Sequence, residues 1–362
     1  MIQPRPTLLL DEGRCHANIA MMADKAAAHG LIFRPHFKTH QSLAVGRWFK
    51  EAGVRCITVS SLTMAEYFAC EWDDITVAFP VNILEIDAIN RLAPRLTLNL
   101  LVESVESLRF LADHLHNPVG FFIKIDVGYH RTGVDATDTA TIDALLDLAR
   151  QCPLLHFRGF LTHAGHTYGA ASPGEVLAIH HQACLLLMAL KERYQGTWPQ
   201  LLVSVGDTPG CSLASDFPGC DEIRPGNFVF YDLTQQHLGA CESRRIAVAL
   251  SCPVVAVHPR RNEAVLYGGA IHFSKEALRD AQLGTIYGRV ARSMGLGWGE
   301  PIPGMYVRSL SQEHGVVVGP EHEIAALRVG DCLPVLPVHS CLTVQLMKSY
   351  IGIAGGETFT TL

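Results

Sequence analysis

The feature that most restricts the fold of this chain is a regular alternation of short β-rich runs with longer helical patterns up to residue 244. Strands that alternate with helices form right-handed βαβ units around a parallel sheet. Eight strands are predicted, which favours an α/β fold of the (β/α)₈ TIM-like barrel type. The predicted strands are 31–37, 56–60, 75–79, 97–102, 119–127, 155–162, 201–205 and 226–231.

The helical patterns between these strands carry apolar residues at three- and four-residue spacing. An open doubly wound sheet is the alternative architecture. No Gly-x-Gly-x-x-Gly motif follows the first strand, so a Rossmann dinucleotide site is not supported. The clearest helical patterns are 41–52, 62–71, 104–115, 138–151 and 173–194.

The pattern changes near residue 245, where short apolar runs are broken by turn residues. The segment 260–263, Arg-Arg-Asn-Glu, is typical of a hairpin turn between two strands. We therefore predict a barrel domain over residues 15–244 and a mainly β domain over residues 245–362.

Charge and cysteine content exclude several classes of protein. The net charge of −6 is spread along the chain, whereas a nucleic-acid-binding protein needs a basic patch. The first residues show no basic region followed by an apolar run, so a secretory signal is not expected, and no uninterrupted apolar run reaches the roughly 18 residues of a membrane span. The 11 cysteines are scattered and form no Cys-x-x-Cys pair, which is typical of reduced thiols in the cytoplasm.

Lys38 is the first candidate for chemistry, because it stands at the end of the first predicted strand, in RPHFKTH. The carboxyl ends of barrel strands form the active-site face. His36 and His40 flank the lysine, and burial beside them would lower its pKa and give the neutral amine that Schiff-base formation needs. The alternative is an ordinary surface lysine.

Two further loops follow the fifth and sixth predicted strands. Arg131, in IDVGYHRTGV, supplies a planar donor fork that suits a phenolate or a carboxylate. His163, His166 and Tyr168, in LTHAGHTY, could stack on a ring, form hydrogen bonds or contribute to a metal site. An ordinary loop arginine and structural histidines remain the alternatives.

The loops 204–212 and 222–232 are rich in glycine and small hydroxyl residues. In many barrels the loops after the last two strands bind phosphate. Thr208, Ser212, Gly226 and Asn227 can offer backbone N–H groups and side-chain donors to a dianion. Together the two loops favour a cofactor that carries a phosphate group.

The last pair is His339 and Cys341 in PVHSCLTV. On an extended segment, residues two apart point to the same side, so an imidazole and a thiolate could chelate one divalent ion. Zinc suits these ligands, and open coordination positions suit catalysis. A His-x-Cys pair alone is a weak signal, and two structural residues are the alternative.

Six of these motifs occur in the order that is typical of the D-serine dehydratase/D-threonine aldolase group. This chain resembles that group, which belongs to the fold-type III, alanine-racemase-like pyridoxal 5'-phosphate (PLP) enzymes, over about residues 5–350. The resemblance implies a barrel followed by a β domain that residues 1–14 join. It also implies a homodimer whose active site is shared between subunits.

The resemblance implies a role for each motif residue. Lys38 would bond covalently to PLP, and Arg131 would face the phenolic oxygen of the cofactor. His163 and Tyr168 would line the pyridine ring and the phosphate. The residues implied to bind or approach the phosphate are Thr208, Gly226, Asn227 and Tyr231, and those implied to bind a metal are His339 and Cys341.

Within the group, His-x-Cys is typical of dehydratases and His-x-Asp of D-threonine aldolases. His339-Ser340-Cys341 therefore favours a zinc-dependent dehydratase, with manganese or magnesium as the alternative metals. Val338 departs from the asparagine that is common in D-serine dehydratases. The predicted substrate is a D-3-hydroxy-amino acid, such as D-serine or D-threo-3-hydroxyaspartate, which would give a 2-oxo acid and ammonia.

Three other functions remain open from the sequence. A metal-dependent aldolase would cleave the same substrates to glycine and an aldehyde. A racemase would need a second base on the opposite face, and no tyrosine motif supplies one. A non-catalytic PLP-binding protein would lack the β domain that residues 245–362 predict.

Overall fold

The computed structural model describes residues 3–362 as two compact units. One unit is Ala20–Gly226, and the other joins Asn227–Leu362 to the N-terminal residues up to Ile19. The sequence predicts boundaries after residues 14 and 244, whereas the two units divide after residues 19 and 226. The segment after Gly226 belongs to the second unit because Thr234 donates its backbone N–H and its hydroxyl to the carbonyl oxygen of Val338.

The first unit is a closed ring of eight parallel strands, which confirms the predicted barrel. The chain begins with β1 (Thr7–Leu10) of the second unit and continues into α1 (Glu12–Ala28). The ring closes where His36 forms a parallel bridge with Thr58. The barrel strands are β2 (Ile32–Phe33), β3 (Ile57–Val59), β4 (Asp74–Pro80), β5 (Thr97–Val102), β6 (Val119–Asp126), β8 (Leu155–Leu161), β9 (Leu202–Val205) and β10 (Glu222–Ile223), and the short β7 (Val134–Asp135) pairs with β6.

The prediction of the eighth strand at 226–231 was wrong. The last barrel strand is Glu222–Ile223, and Asn227–Val229 form a 3₁₀ turn. The run Phe228–Tyr231 is completely buried without being a strand. A short apolar run shows burial, and its backbone conformation depends on residues elsewhere.

The barrel helices begin where the sequence places capping side chains. Ser61, Ser104, Asp138 and Ser172 each accept a backbone N–H three residues ahead, which satisfies one exposed donor of the first turn. The helices of this unit are α2 (Leu43–Glu51), α3 (Leu62–Phe68), α4 (Ile86–Leu92), α5 (Val105–His114), α6 (Thr139–Gln151), α7 (Pro173–Tyr194) and α8 (Thr208–Leu213).

The helix α7 is long and apolar enough to cross a bilayer by length and composition alone. In the structure it packs against β8, β9 and α8 of the barrel. The apolar side chains of Val176, Leu187 and Leu190 are buried there. These contacts are those of a barrel helix.

Ionic groups link several strands inside the barrel. Arg34 is 2% exposed and contacts Glu222 at 2.6 Å (Nε to Oε2) and Asp74 at 2.6 Å (Nη1 to Oδ1). The other oxygen of Glu222 accepts from Ser204 Oγ at 2.6 Å. Asp74 also accepts from the side-chain amide of Asn99. The network joins β4, β5, β9 and β10 to the end of β2.

We expect Arg34→Ala to destabilise the barrel by about 3–5 kcal/mol, because it removes the ion-pair partner of the buried carboxylate of Glu222. Urea denaturation followed by circular dichroism measures the change. Arg91→Ala is the matched control, since Arg91 pairs with Glu66 on the surface and its loss should cost less than about 1 kcal/mol. Equal losses in the two variants would contradict the prediction.

The second unit is mainly antiparallel sheet, as predicted. Six strands close on themselves in the order β12-β17-β16-β15-β18-β11, because β12 also pairs with β11. β1, β19 and β20 extend this sheet beyond β11. The strands are β11 (Val248–His258), β12 (Glu263–Tyr267), β13 (Leu278–Asp280), β14 (Gly284–Ile286), β15 (Gly288–Met294), β16 (Gly297–Leu310), β17 (His314–Val318), β18 (Cys332–Pro337), β19 (Ser349–Gly352) and β20 (Thr358–Thr360).

Short helices connect some of these strands. The predicted hairpin turn is present, and Asn262 adopts the left-handed conformation (φ 51°) just before β12. The helices of this unit are α9 (Leu233–His237), α10 (Ala270–Phe273), α11 (Glu321–Ala326) and α12 (Ser340–Met347).

Candidate active site

Lys38 lies in the turn that follows β2, at the carboxyl end of the barrel strands. The predicted burial is not found: the side chain is exposed, because the turn carries it past the strand end. Desolvation, and then the charge of Lys38, hold the pKa of both His36 and His163 well below the usual range. Lys38 therefore stands beside two neutral imidazoles, one from its own loop and one from the loop after β8.

The loop after β6 is built around Asp126. Its Oδ1 accepts the backbone N–H groups of Gly128, Tyr129 and His130, each at 3.0 Å. Gly133 has a φ of +118°, and a Cβ there would lie 2.6 Å from the backbone nitrogen of Asp126. The tight return of this loop therefore requires glycine at position 133.

Arg131 projects from this loop over the ring of Tyr129, with Cζ 4.9 Å from the ring centroid. The Tyr129 ring also stacks on His166 and meets the edge of His163, at centroid distances of 6.0 and 6.2 Å. Tyr129 was not among the predicted site residues. It connects Arg131 to the histidines of the next loop, and its only sequence signal was an aromatic residue two positions before Arg131.

His163 and Tyr168 lie together, as ring centroids 6.4 Å apart show. His163 Nδ1 is 2.6 Å from the carbonyl oxygen of Gly206, so a neutral ring donates its Nδ1–H to this carbonyl. This bond fixes the tautomer and connects the loop after β8 to the loop after β9. His163 can therefore present an aromatic ring of fixed orientation to a ligand.

Thr208 opens α8 directly after β9, and its Oγ1 is buried with no hydrogen-bond partner among residues 3–362. Asp207, the residue before it, caps α8 by accepting from Gly210 N at 2.6 Å, and it also accepts from Thr167 Oγ1 at 3.0 Å. A buried hydroxyl without a partner is unfavourable unless a ligand satisfies it. This orphaned group fits the phosphate-bearing cofactor that the sequence predicts.

Gly226 lies directly against the Lys38 loop. A Cβ at this position would be 2.8 Å from the carbonyl oxygen of His36 and 3.3 Å from Thr39 Oγ1. Any side chain would push the two loops apart. The glycine therefore allows the loop after β10 to approach the loop that carries Lys38.

Two buried basic side chains at the carboxyl ends of barrel strands were not predicted. Lys124, on β6, is 5% exposed, and burial, together with Arg224 and Arg131, lowers its pKa to about 7. Arg224, just after β10, donates its Nε–H to Ser204 Oγ at 2.7 Å and an Nη2–H to the carbonyl oxygen of Thr162. Buried positive charge favours an anionic ligand nearby. Their sequence signals were a lysine within an apolar strand and an arginine before Pro225.

The remaining predicted residues lie in the second unit. β18 ends at Pro337, and α12 begins at Ser340. His339 is extended (φ −134°), whereas Cys341 lies in the first turn of α12, so the predicted extended arrangement of the pair was wrong. The strand-to-helix junction brings the imidazole and the thiol together.

Asp232, which was not predicted, completes this cluster. Its Oδ2 lies 3.3 Å from His339 Nδ1 and accepts from the backbone N–H of Ser340 at 2.9 Å. Asn227 donates its side-chain N–H groups to Asp232 Oδ2 at 2.7 Å and to Ser340 Oγ at 3.0 Å, and its Nδ2 lies 3.6 Å from Cys341 Sγ. The amide of Asn227, predicted to bind phosphate, is thus directed at the His339–Cys341 pair.

Tyr231 stands in the same segment and is completely buried, with a left-handed backbone (φ 51°). Its backbone N–H donates to the carbonyl oxygen of Asn227 at 2.7 Å. This tight turn carries the chain from Asn227 to Asp232, and it explains how both side chains reach the same cluster.

The cluster attracts positive charge. Burial disfavours the imidazolium form, but Cys341 and Asp232 more than offset this and raise the pKa of His339 to about 11. The negative charges of Cys341 and Asp232 that stabilise the imidazolium would also favour a metal cation once the ring has lost its proton. Residues 3–362 contain no cluster of three or more histidine, cysteine or acidic side chains with metal-binding geometry. The pair can therefore supply two protein ligands, and water or substrate would complete the coordination.

Known families match nearly the whole chain. Residues 10–233 match the family described as alanine racemase, N-terminal domain, and residues 247–353 match a putative serine dehydratase domain. The chain is similar to D-serine dehydratase of Dictyostelium discoideum, with 29% identity over 95% of this chain and 92% of that one. It is also similar to 3-hydroxy-D-aspartate aldolase of Paracoccus denitrificans, with 28% identity over 98% and 90%.

A third relative is D-threo-3-hydroxyaspartate dehydratase of Delftia sp. (strain HT23), with 30% identity over 98% of this chain and 96% of that one. Its solved structure superposes with a TM-score of 0.91 over 99% of this chain and 97% of that one, at 29% identity. Further structures of that enzyme are a histidine-to-alanine variant and, two positions on in its sequence, a cysteine-to-alanine variant in the metal-free form.

Proposed function

Since the chain belongs to the alanine racemase N-terminal domain family and carries a serine dehydratase domain after it, we propose that it is a PLP-dependent dehydratase of a D-3-hydroxy-amino acid. Its products would be a 2-oxo acid and ammonia. The observation that carries the proposal is the His339–Cys341 pair beside Asp232. This His-x-Cys pair follows the dehydratase pattern, and two relatives that align over 95% and 98% of this chain are named dehydratases.

The barrel residues would hold PLP. The buried hydroxyl of Thr208 would donate a hydrogen bond to the phosphate. Arg131, His163 and Tyr168 would lie around the pyridine ring. When bound, PLP supplies an electron sink for the negative charge that develops at the α-carbon of the substrate. The imidazole of His163 can pack against the pyridine ring because it is neutral and adds no second positive charge beside Lys38.

Lys38 would carry the proton transfer. Its amine would remove the α-proton of the substrate as general base. A base fixed on one side of the ring reaches the α-hydrogen of only one enantiomer, which would give D-specificity. The open position of Lys38 at the strand ends leaves room for the substrate to enter.

The pair His339 and Cys341 would bind a divalent metal, and a thiolate ligand favours zinc over manganese or magnesium. A bound zinc ion supplies a Lewis acid for the departing β-hydroxyl group. The metal-free variant of the Delftia enzyme supports a metal in that relative. The proposal extends to a homodimer in the cytoplasm, and the lack of any disulfide among the cysteines of residues 3–362 is consistent with that compartment.

The test is a panel of D-3-hydroxy-amino acids, including D-serine, D-threonine and D-threo-3-hydroxyaspartate, with ammonia and glycine both quantified. We expect ammonia and a 2-oxo acid, with activity lost on chelation and restored by zinc. The corresponding L-amino acids serve as the control and should not react. Absence of turnover with every D-substrate would instead indicate a non-catalytic PLP-binding protein.

An aldolase is the second candidate, because a 3-hydroxy-D-aspartate aldolase aligns over 98% of this chain. In that reaction the base takes the proton of the β-hydroxyl, and the bond between the α- and β-carbons breaks. Glycine and an aldehyde in the same assay, without ammonia, would establish this activity in place of the dehydratase.

A further inference from the structure

We infer that Asp232, which accepts a hydrogen bond from Asn227, is a positioning residue that orients the imidazole of His339 toward the metal. The inference rests on the proposed function in one respect, the metal at His339 and Cys341. It adds two residues outside that pair, which no motif in the sequence marked as part of a metal site.

The first step is the burial of Asp232. Its carboxylate is completely buried, so it needs hydrogen-bond donors to offset the loss of water. Oδ2 receives four: Asn227 Nδ2 at 2.7 Å, Ser340 N at 2.9 Å, Ser340 Oγ at 3.3 Å and His339 Nδ1 at 3.3 Å. Three of the four donors belong to the strand-to-helix junction that carries the predicted ligands.

The second step is the tautomer of His339. An imidazole that donates its Nδ1–H to a carboxylate presents the lone pair of Nε2 on the opposite edge of the ring. Metal-binding histidines commonly have such an acceptor behind them, which fixes the ring orientation and increases its basicity. Asp232 supplies that acceptor here and leaves Nε2 for the ion.

The third step concerns Cys341. The side-chain amide of Asn227 donates to Asp232 and also lies 3.6 Å from Cys341 Sγ. An N–H group near a thiolate stabilises its negative charge without occupying a coordination position of the metal. One amide thus contacts the carboxylate behind His339 and the sulfur of Cys341, and it fixes the spacing of the two.

A purely structural role for Asp232 is the competing explanation. Asp232 caps α9, because its Oδ1 accepts from Gln235 N at 3.0 Å. The two carboxylate oxygens of Asp232 therefore have separate partners: Oδ1 caps α9, and Oδ2 contacts His339. Asp232→Asn can keep the capping oxygen while it replaces the other with an NH₂ group, which cannot accept from His339 or Ser340.

The experiment measures zinc affinity on the purified, PLP-loaded full chain without substrate, by competition with a chromophoric chelator at constant pH. We expect Asp232→Asn to bind zinc about 10–100-fold more weakly. The absorption bands of cobalt, loaded in place of zinc, should also shift, because the imidazole loses its fixed orientation. Asp138→Asn, which alters the exposed cap of α6, is the matched control and should leave both measurements unchanged.

The possible results separate the two proposals. Unchanged zinc affinity and cobalt bands in Asp232→Asn would overturn the role of Asp232 and leave the metal site standing. A parent chain that binds neither zinc nor cobalt would overturn the metal site and this inference together. If Asp232→Asn does not fold, Asn227→Ala is measured in its place: weaker zinc binding supports the cluster, and parental affinity refutes it.

Discussion

Lys38→Ala is expected to lower turnover by about 10⁴-fold or more, since the variant loses both the covalent attachment of the cofactor and the general base. The visible absorbance of lysine-bound PLP should disappear after gel filtration, while the fold is retained, because Lys38 is exposed. Steady-state ammonia release and the absorbance spectrum measure the two effects independently.

Lys275→Ala is the matched control for this experiment. Lys275 is exposed in the β unit and belongs to none of the predicted loops. Its replacement should leave both the absorbance band and the rate unchanged. A Lys38→Ala variant that kept the band and the turnover would refute the assignment of Lys38.

The second large effect is expected from His339→Ala. Loss of a Lewis acid removes several kcal/mol of transition-state stabilisation, which corresponds to a rate decrease of about 10²–10³-fold. The variant should also contain little zinc after dialysis, because Cys341 alone is a poor chelator. Ammonia release with added zinc, and the metal content measured by atomic absorption, check both expectations.

His322→Ala is the control here, because His322 is 80% exposed on α11 of the same unit. Its rate and zinc content should equal those of the parent. The reading of His339 as a metal ligand would fail if His339→Ala retained stoichiometric zinc and full activity. The covalent cofactor bond at Lys38 should persist in His339→Ala, which distinguishes this defect from that of Lys38→Ala.

Most of the fold could be predicted because its signals are local. Apolar spacing identified helices such as α5 and α6, and turn residues marked the hairpin before β12. The eighth strand was misplaced because Phe228–Tyr231 are buried for a different reason. They follow Gly226 into a tight turn, and burial in a turn gives the same apolar run as burial in a strand.

The site was only partly predictable, because its decisive contacts join distant parts of the chain. The loop positions of Lys38, His163 and Thr208 follow from strand order. By contrast, Asn227 and Ser340 are 113 residues apart, and no periodicity or motif reports their hydrogen bond. Asp232 caps α9 through one carboxylate oxygen, and only the contact of its second oxygen with His339, seen in the structure, connects it to the pair.

The position of β1 has a consequence for biosynthesis. This strand lies between β11, which begins at Val248, and β19, which begins at Ser349. At roughly 5–20 residues per second, a ribosome completes β19 about 20–70 s after β1. The entire barrel is translated in that interval. β1 can therefore pair with β11 first, whereas its other edge, at Leu9 and Leu10, has no strand to pair with until β19 has been made.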